Sequence, residues 1–214
     1  MLTQTLATAE ISTAFHARND DRSRARSCAA DRQEASDERL VERISGGDRA
    51  AMEVLYARHH VRIYRFLVRL TGNVTMAEDL VSDTFLDAWR SAERFEKKSS
   101  VSTWLLAIGR YKALSELRRR PSEPLDERAD AVQDSTDDPE TTAHKTSRSA
   151  IVRKCLAQLS PAHREVMDLV YYQDKSIEEV AQIVCVSPNT VKTRMFYARS
   201  RMAGLLQESG VAGM

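Results

Sequence analysis

The stretch SIEEVAQIVCVSPNTVKTRMFYARSRM, Ser176–Met202, reads as two short helices joined by a tight turn. Ser176 and Glu179 have the S-x-x-E spacing of a capping box, which starts a helix at Ile177. Ile177, Val180, Ala181 and Val184 follow at i, i+3, i+4 and i+7, so one side of that helix is apolar. The pattern breaks at Cys185-Val186. Ser187 is a good N-cap for a second helix, and Pro188 suits its first position because the missing N–H would have no intrahelical partner there. Val191, Met195, Ala198 and Met202 form the second buried stripe, while Asn189, Thr190, Lys192, Thr193, Arg194 and Tyr197 lie opposite. From Ser187 to Met202 there are four basic residues and no acidic one.

A capped, cationic helix of this kind suits a DNA major groove. Short amide and hydroxyl side chains near its start reach base edges, and Arg and Lys neutralise phosphates. The plainer alternative is a helical hairpin with a solvated basic face. Two caps, two stripes and a one-signed face together favour DNA binding. Cys185 is less usual at such a turn than Gly.

The whole chain has 214 residues and a net charge of only +1, so any attraction to nucleic acid must come from local segregation of charge. The dominant periods are helical and only 7 Gly and 5 Pro are present, which predicts an all-α protein of two small helical domains. Cys28, Cys155 and Cys185 are far apart and the 5 histidines complete no ligand spacing, so neither metal nor cofactor is expected. No apolar run has the length of a membrane span. The start MLTQTLATAEISTAF lacks a basic region and a continuous apolar stretch, so it reads poorly as a signal peptide. A cytoplasmic protein is expected.

Residues 1–36 mix Arg, Asp, Ser and Ala without a sustained period and read as a disordered tail. A first domain is expected over 37–120. Leu40, Val41 and Ile44 face inward from a helix that Gly46-Gly47 ends, and Asp48 caps a long helix of roughly 49–71. Met52, Leu55, Tyr56, His59, Ile63, Phe66, Leu67 and Leu70 line one side of it. His59 reads as interfacial packing and His60 as surface. Thr75 and Glu78 have capping-box spacing before a helix with Leu80, Val81, Thr84, Phe85, Ala88 and Trp89 buried. Asp79, Asp83 and Asp87 stack on its other face. Spacing alone leaves open whether they are a solvated face or a docking strip for a basic partner.

Between Arg94 and Arg120 eight basic residues stand against two acidic ones. Lys97–Ser100 reads as a polar loop, and Ser102 or Thr103 can cap a helix with Leu105, Ile108, Leu114 and Leu117 inward. Cationic groups, hydroxyls, Trp104 and Tyr111 gather here, a mixture suited to single-stranded nucleic acid. Trp104 is also a natural core residue. Residues 121–147 hold eight acidic residues, two basic ones and three prolines, the composition of a flexible acidic linker. A second domain is expected over 148–207, followed by a tail over 208–214. Ile151, Val152, Cys155, Leu156 and Leu159 line its first helix, and Ser160-Pro161 restarts a second.

Three blocks now resemble the extracytoplasmic-function (ECF) sigma factors of the sigma-70 superfamily. They are AEDLVSDTFLDAWR, SVSTWLLAIGRYKALSELRRR and LSPAHREVMDLVYYQDKSIEEVAQIVCVSPNTVKTRM, in that order and with an acidic linker before the third. The resemblance implies a sigma region 2 domain, a region 4 helix-turn-helix domain and no enzymatic activity. It implies a subunit that binds core RNA polymerase, directs it to promoters and helps open them for transcription initiation, often in a stress response. Its implied partners are core polymerase, promoter DNA as duplex and as melted strand, and an anti-sigma factor.

On the family pattern, Asp79, Ser82 and Asp83 match polymerase-docking positions, which tips the open question toward docking. Lys97, Lys98, Ser99, Ser100, Ser102 and Thr103 match the loop that captures a flipped minus-ten base. Arg110, Tyr111 and Lys112 match the helix at the separating strands. Ser187, Asn189, Thr190, Lys192, Thr193 and Arg194 match the helix that reads the minus-thirty-five element. Ser82 stands where Gln is usual, Tyr111 where Asn is usual and Ser115 where Asp is usual. The competing expectations are a helix-turn-helix regulator that binds a duplex operator without polymerase, and a nuclease built on the Asp79–Asp83–Asp87 row.

Overall fold

Seven of the described helices begin where a short polar side chain accepts a backbone N–H, and those caps lay out the architecture. The computed structural model describes residues 35–119 and 151–209. In the first module α1 spans Asp37–Ser45, α2 Arg49–Thr71, α3 Val74–Ser91 and α4 Val101–Arg119, with a 3-10 turn at Ala92–Arg94. In the second, α5 occupies 151–157, α6 Pro161–Tyr171, α7 Ile177–Val184 and α8 Pro188–Glu208. No strand occurs among the described residues, so the fold is all-α. The expected tail up to residue 34, the acidic linker and Cys28 lie outside the described residues.

The caps at Ser36, Asp48, Ser160, Ser176 and Ser187 each accept an amide from the first turn of the following helix. A cap of this kind stabilises a helix by about 1 kcal/mol. Two starts differ from expectation. α3 is capped by Asn73, whose side chain accepts from the Met76 amide, and Thr75 lies inside the helix rather than in a capping box. Gly72 ends α2 in the left-handed region at φ 69°, leaving Asn73 extended and in position to cap. α4 begins at Val101 because Ser100, not Ser102 or Thr103, accepts the Thr103 amide.

The first core joins Leu40, Val41 and Ile44 of α1 to Leu55, Ile63, Phe66 and Leu67 of α2, Leu80, Val81 and Phe85 of α3 and Leu105 and Leu106 of α4. Gly109 lets α4 approach closely. A Cβ there would lie 3.3 Å from the Thr84 hydroxyl and 3.6 Å from Leu67. The Thr84 hydroxyl is itself committed to the Leu80 carbonyl at 2.6 Å. Tyr56, expected among the buried residues of α2, is exposed on the rim of a groove with Met52, Phe85, Leu86 and Trp89. His59 is buried and bonds Asp37 at 2.6 Å, which ties α1 to α2, while His60 stacks on Tyr56. The second core gathers Cys155, Leu159, Val166, Leu169, Val180, Ile183, Val191, Met195, Ala198, Met202 and Leu205.

Candidate nucleic-acid interface

The helix-turn-helix is built from α7 and α8. Ser176 and Glu179 form the complete capping box of α7. Cys185 takes the left-handed conformation at φ 56°, and its amide bonds the Ala181 carbonyl. A thiol residue thus occupies the position where Gly is usual. Val191, Met195 and Ala198 of α8 are buried, while Asn189, Lys192 and Thr193 are exposed. Ser187 caps the helix through the Thr190 amide and also contacts the Thr190 hydroxyl at 2.9 Å. Phe196 and Tyr197 extend the exposed face as an edge-to-face pair with centroids 5.5 Å apart. Phe196 was absent from the expected readers because apolar residues are ordinarily assigned to the core. Arg199 is held aside, donating to the Tyr171 hydroxyl at 2.9 Å.

The other expected surface is less open. Lys97 has a positive φ of 57° and pairs with Glu42, while Lys98 pairs with Glu96. Lys112 pairs with Asp87 at 2.7 Å. Trp104 is half-buried against Phe95, so it contributes to the core margin rather than standing free. Tyr111 is 71% exposed, the most exposed aromatic residue among those described. Ser99 lies half-buried in the loop.

The remaining members of this set are covered by the second module. The Glu179 carboxylate accepts from the Thr103 hydroxyl at 2.5 Å and from the Ser100 hydroxyl at 2.9 Å. The Lys175 ammonium donates to Ser102 at 2.6 Å and to Glu179 at 3.2 Å. Arg110 makes a two-pronged contact with Glu165, at 2.6 and 3.1 Å. Arg69 lies against Asp168 and over the Tyr172 ring. Arg62 reaches Asp174 at 3.3 Å on the outside. None of Glu165, Asp168, Lys175 and Glu179 was expected at the site, because their partners are more than fifty positions away in the chain or carry no shared period with them.

The carboxyl groups here have opposed titration. Partial burial opposes ionisation of Glu179, but hydrogen bonds from Thr103, the Ser176 amide, Ser100 and Lys175 outweigh it and hold the group down at about 2. At Asp168 burial dominates and pushes the carboxyl up to about 6, against the opposing influence of Arg69 and Gln173.

On α3, Asp79, Ser82 and Asp83 are exposed in one row. Asp87 is only half-exposed and is neutralised by Lys112, so the row the sequence suggested is shortened by one carboxylate. Leu86 continues the row into the apolar groove beside Tyr56. Among the described residues no group of three or more His, Cys, Asp or Glu side chains could hold a metal ion, and no helix is long and apolar enough to cross a membrane.

The two modules match known families separately. Residues 55–122 match the sigma-70 region 2 family and residues 149–202 the sigma-70 region 4 family. These modules define a sigma-70-type transcription factor, a regulatory class rather than a catalytic one. The chain is 32% identical over 180 residues to the ECF RNA polymerase sigma factor SigL of Mycobacterium tuberculosis, covering 79% of this chain and 98% of that one. It is 35% identical over 179 residues to SigM of the same organism, covering 82% and 87%. It is 33% identical over 171 residues to the sigma factor CarQ of Myxococcus xanthus, covering 78% and 96%. Among solved structures it resembles CnrH in complex with the cytosolic domain of CnrY, with TM-score 0.61 and 25% identity over 81% of this chain and 99% of that one. It also resembles the sigma factor RpoE bound to the anti-sigma factor NepR from Bartonella quintana, with TM-score 0.56 and 26% identity over 69% and 92%. The chain belongs to the ECF sigma factor family.

Proposed function

We propose a division of labour between the two modules of this sigma factor. A polymerase-binding and minus-ten domain spans 37–120 and a minus-thirty-five domain spans 148–207. Asp79, Ser82 and Asp83 dock on a basic surface of core RNA polymerase. The exposed aliphatic Leu86 beside them gives that contact an apolar anchor. Lys97, Lys98, Ser99, Ser100, Ser102 and Thr103, with Arg110, Tyr111 and Lys112, grip the melted minus-ten strand. Ser187, Asn189, Thr190, Lys192, Thr193 and Arg194 meet the minus-thirty-five duplex. The chain performs no bond chemistry, acts in the cytoplasm and is restrained by an anti-sigma factor.

The observation that carries this reading is the coexistence of two exposed surfaces of opposite sign. Asp79 and Asp83 have no counter-charge partner among the described residues, whereas the start of α8 is polar and cationic. An operator-binding regulator uses the second surface and has no use for the first. Holding both modules on polymerase raises the effective concentration of each for its half of the promoter. Capture of an unstacked base offsets an unpairing cost of a few kcal/mol.

Run-off transcription with purified core polymerase on a genomic fragment library tests the proposal. Discrete transcripts that require this chain are expected. Failure to join core polymerase, or the same transcripts without the chain, would overturn it.

A further inference from the structure

The α3 row and the groove beside it form one continuous surface. Asp79, Ser82 and Asp83 are exposed, and neither carboxylate has a counter-charge partner among the described residues. One turn beyond Asp83, Leu86 is 44% exposed and opens an apolar groove of about 610 Å³ with Met52, Tyr56, Phe85 and Trp89. Exposed apolar side chains gathered beside bare carboxylates suit an occupant that is apolar at one end and cationic at the other.

The chain carries a segment of that composition ahead of α1. Ile11 and Phe15 lie four residues apart, and Arg22, Arg24 and Arg26 follow with no acid among them. Asp20-Asp21 confines the cationic run to these five positions. The point where this segment joins the first module is pinned close by. Arg58 donates to the Ala35 carbonyl at 2.7 Å and to the Asp37 carboxylate at 2.8 Å, and His59 bonds the other Asp37 oxygen at 2.6 Å. That entry lies within one turn of Tyr56 on α2. Arg26 stands nine residues before Ala35. Nine residues span up to about 30 Å, more than twice the diameter of a helix. Residues 121–147 fit the surface badly, because their eight carboxylates are repelled by Asp79 and Asp83.

We infer that residues 11–26 dock on the α3 surface of the same chain, with Arg22, Arg24 and Arg26 on Asp79 and Asp83 and with Ile11 and Phe15 in the groove beside Leu86. The segment thereby competes with core polymerase for that surface, a role that rests on assigning the α3 row to polymerase docking. Ion pairs at an exposed row are weak and screened by salt. The tether raises the effective concentration of the segment, so weak contacts suffice to seat it. A partner that presents a larger basic surface still displaces it. Polymerase then binds the free chain only in proportion to the fraction whose α3 surface is open.

The test uses the full chain and two readouts. Seating is read without polymerase by disulfide trapping. Cys28 lies two residues beyond Arg26, and Ser82→Cys places a thiol between the two carboxylates. Cys185→Ser removes the exposed thiol of the turn from this background. Oxidised glutathione is the oxidant. A disulfide within one chain is expected, and its formation should slow in Arg22→Gln/Arg24→Gln/Arg26→Gln and in high salt. Trapping that is as fast in the arginine variant, or that yields only dimers, would overturn docking within the chain. Masking is read as affinity for core polymerase, with Ser82 and Cys185 intact. If the surface is covered about four-fifths of the time, the arginine variant binds core polymerase about fivefold tighter. Ile11→Ser/Phe15→Ser should move the same way by less. Unchanged affinity in both variants would overturn the mask. Asp83→Arg added to the arginine variant separates that failure from failure of the docking assignment. If it weakens polymerase binding, the assignment stands and only the mask falls; if it does not, the assignment falls as well.

Discussion

The two surfaces proposed to face DNA differ in how they are made. The α8 surface is self-contained: one serine cap, one apolar stripe and one polar face, all within a few turns, fix what it presents. The proposed minus-ten surface is assembled from a loop, the first turns of α4 and whatever lies on top of them, and in this structure the second module lies there. A local surface is ready whenever its helix is folded. A composite surface can be opened or closed without unfolding anything, so it is the one on which regulation can act.

That contrast can be broken most forcefully from the core. Phe66 is 1% exposed in the middle of α2. Phe66→Ala removes a large buried side chain and is expected to destabilise the first module by about 3–5 kcal/mol. In urea denaturation followed by two probes, the first module should unfold early and the second retain its transition. One shared transition displaced by the full amount would mean that the modules fold as a unit, and the contrast between a local and a composite surface would lose its basis. Asp83→Arg addresses the polymerase contact instead. A like charge set against a basic partner is expected to cost about 2–4 kcal/mol of core-polymerase affinity. Duplex binding by the isolated chain should stay unchanged, and equal loss of both activities would refute a docking role for the α3 row.

How much could be read beforehand follows the same division. The caps at Ser160, Ser176 and Ser187 and the stripes of α7 and α8 were legible because each signal lies within four residues of its partner. The α3 start was misplaced by two residues because Thr75–Glu78 imitates a capping box, whereas Gly72 had already turned the chain so that Asn73 could cap. The α4 cap was misassigned because three hydroxyl residues compete there and only packing selects Ser100. The Asp79–Asp83–Asp87 row was legible as spacing, but its neutralisation at Asp87 by Lys112 required knowing that α3 and α4 are neighbours. The Arg110–Glu165 and Thr103–Glu179 contacts had no local signal at all. Glu179 is the instructive case. One of its oxygens completes the capping box that announced the helix-turn-helix, and the other binds the loop that the first module would offer to DNA.

Arg194 sharpens the local side of the comparison. It sits half-buried on α8 beside Thr193, one turn beyond Asn189 and Thr190. If it reads a base, Arg194→Ala should weaken minus-thirty-five duplex binding by about 1–3 kcal/mol and relax specificity at one position. A uniform loss across all sequences, with a shallower salt dependence, would make it a phosphate contact instead.

The smallest effect probes the composite side and depends on sign. Asp168 has a carboxyl raised to about 6 in the closed chain, from an ordinary value of 3.8. Once the modules part, burial is relieved and the group returns toward that ordinary value. The closed form therefore holds a proton that the open form releases, and closure weakens as pH rises from about 4 to about 6, with little further change above. Arg69 from α2 faces the group across the interface, and Glu165 lies one turn earlier on its own helix. Glu179 has the opposite behaviour. Held at about 2 from an ordinary 4.5, it supports closure fully above 4.5 and loses that support only as pH falls toward 2. Between pH 7 and 5.5 Asp168 alone supplies the difference between these two carboxyls, and it should favour closure at the lower pH by about fourfold. Single-strand binding by the free chain should weaken correspondingly at pH 5.5. Asp168→Asn is neutral throughout and should flatten that response while the two histidines of α2 remain in place. A pH response identical in wild type and variant would detach Asp168 from the closure and place the proton elsewhere in the interface.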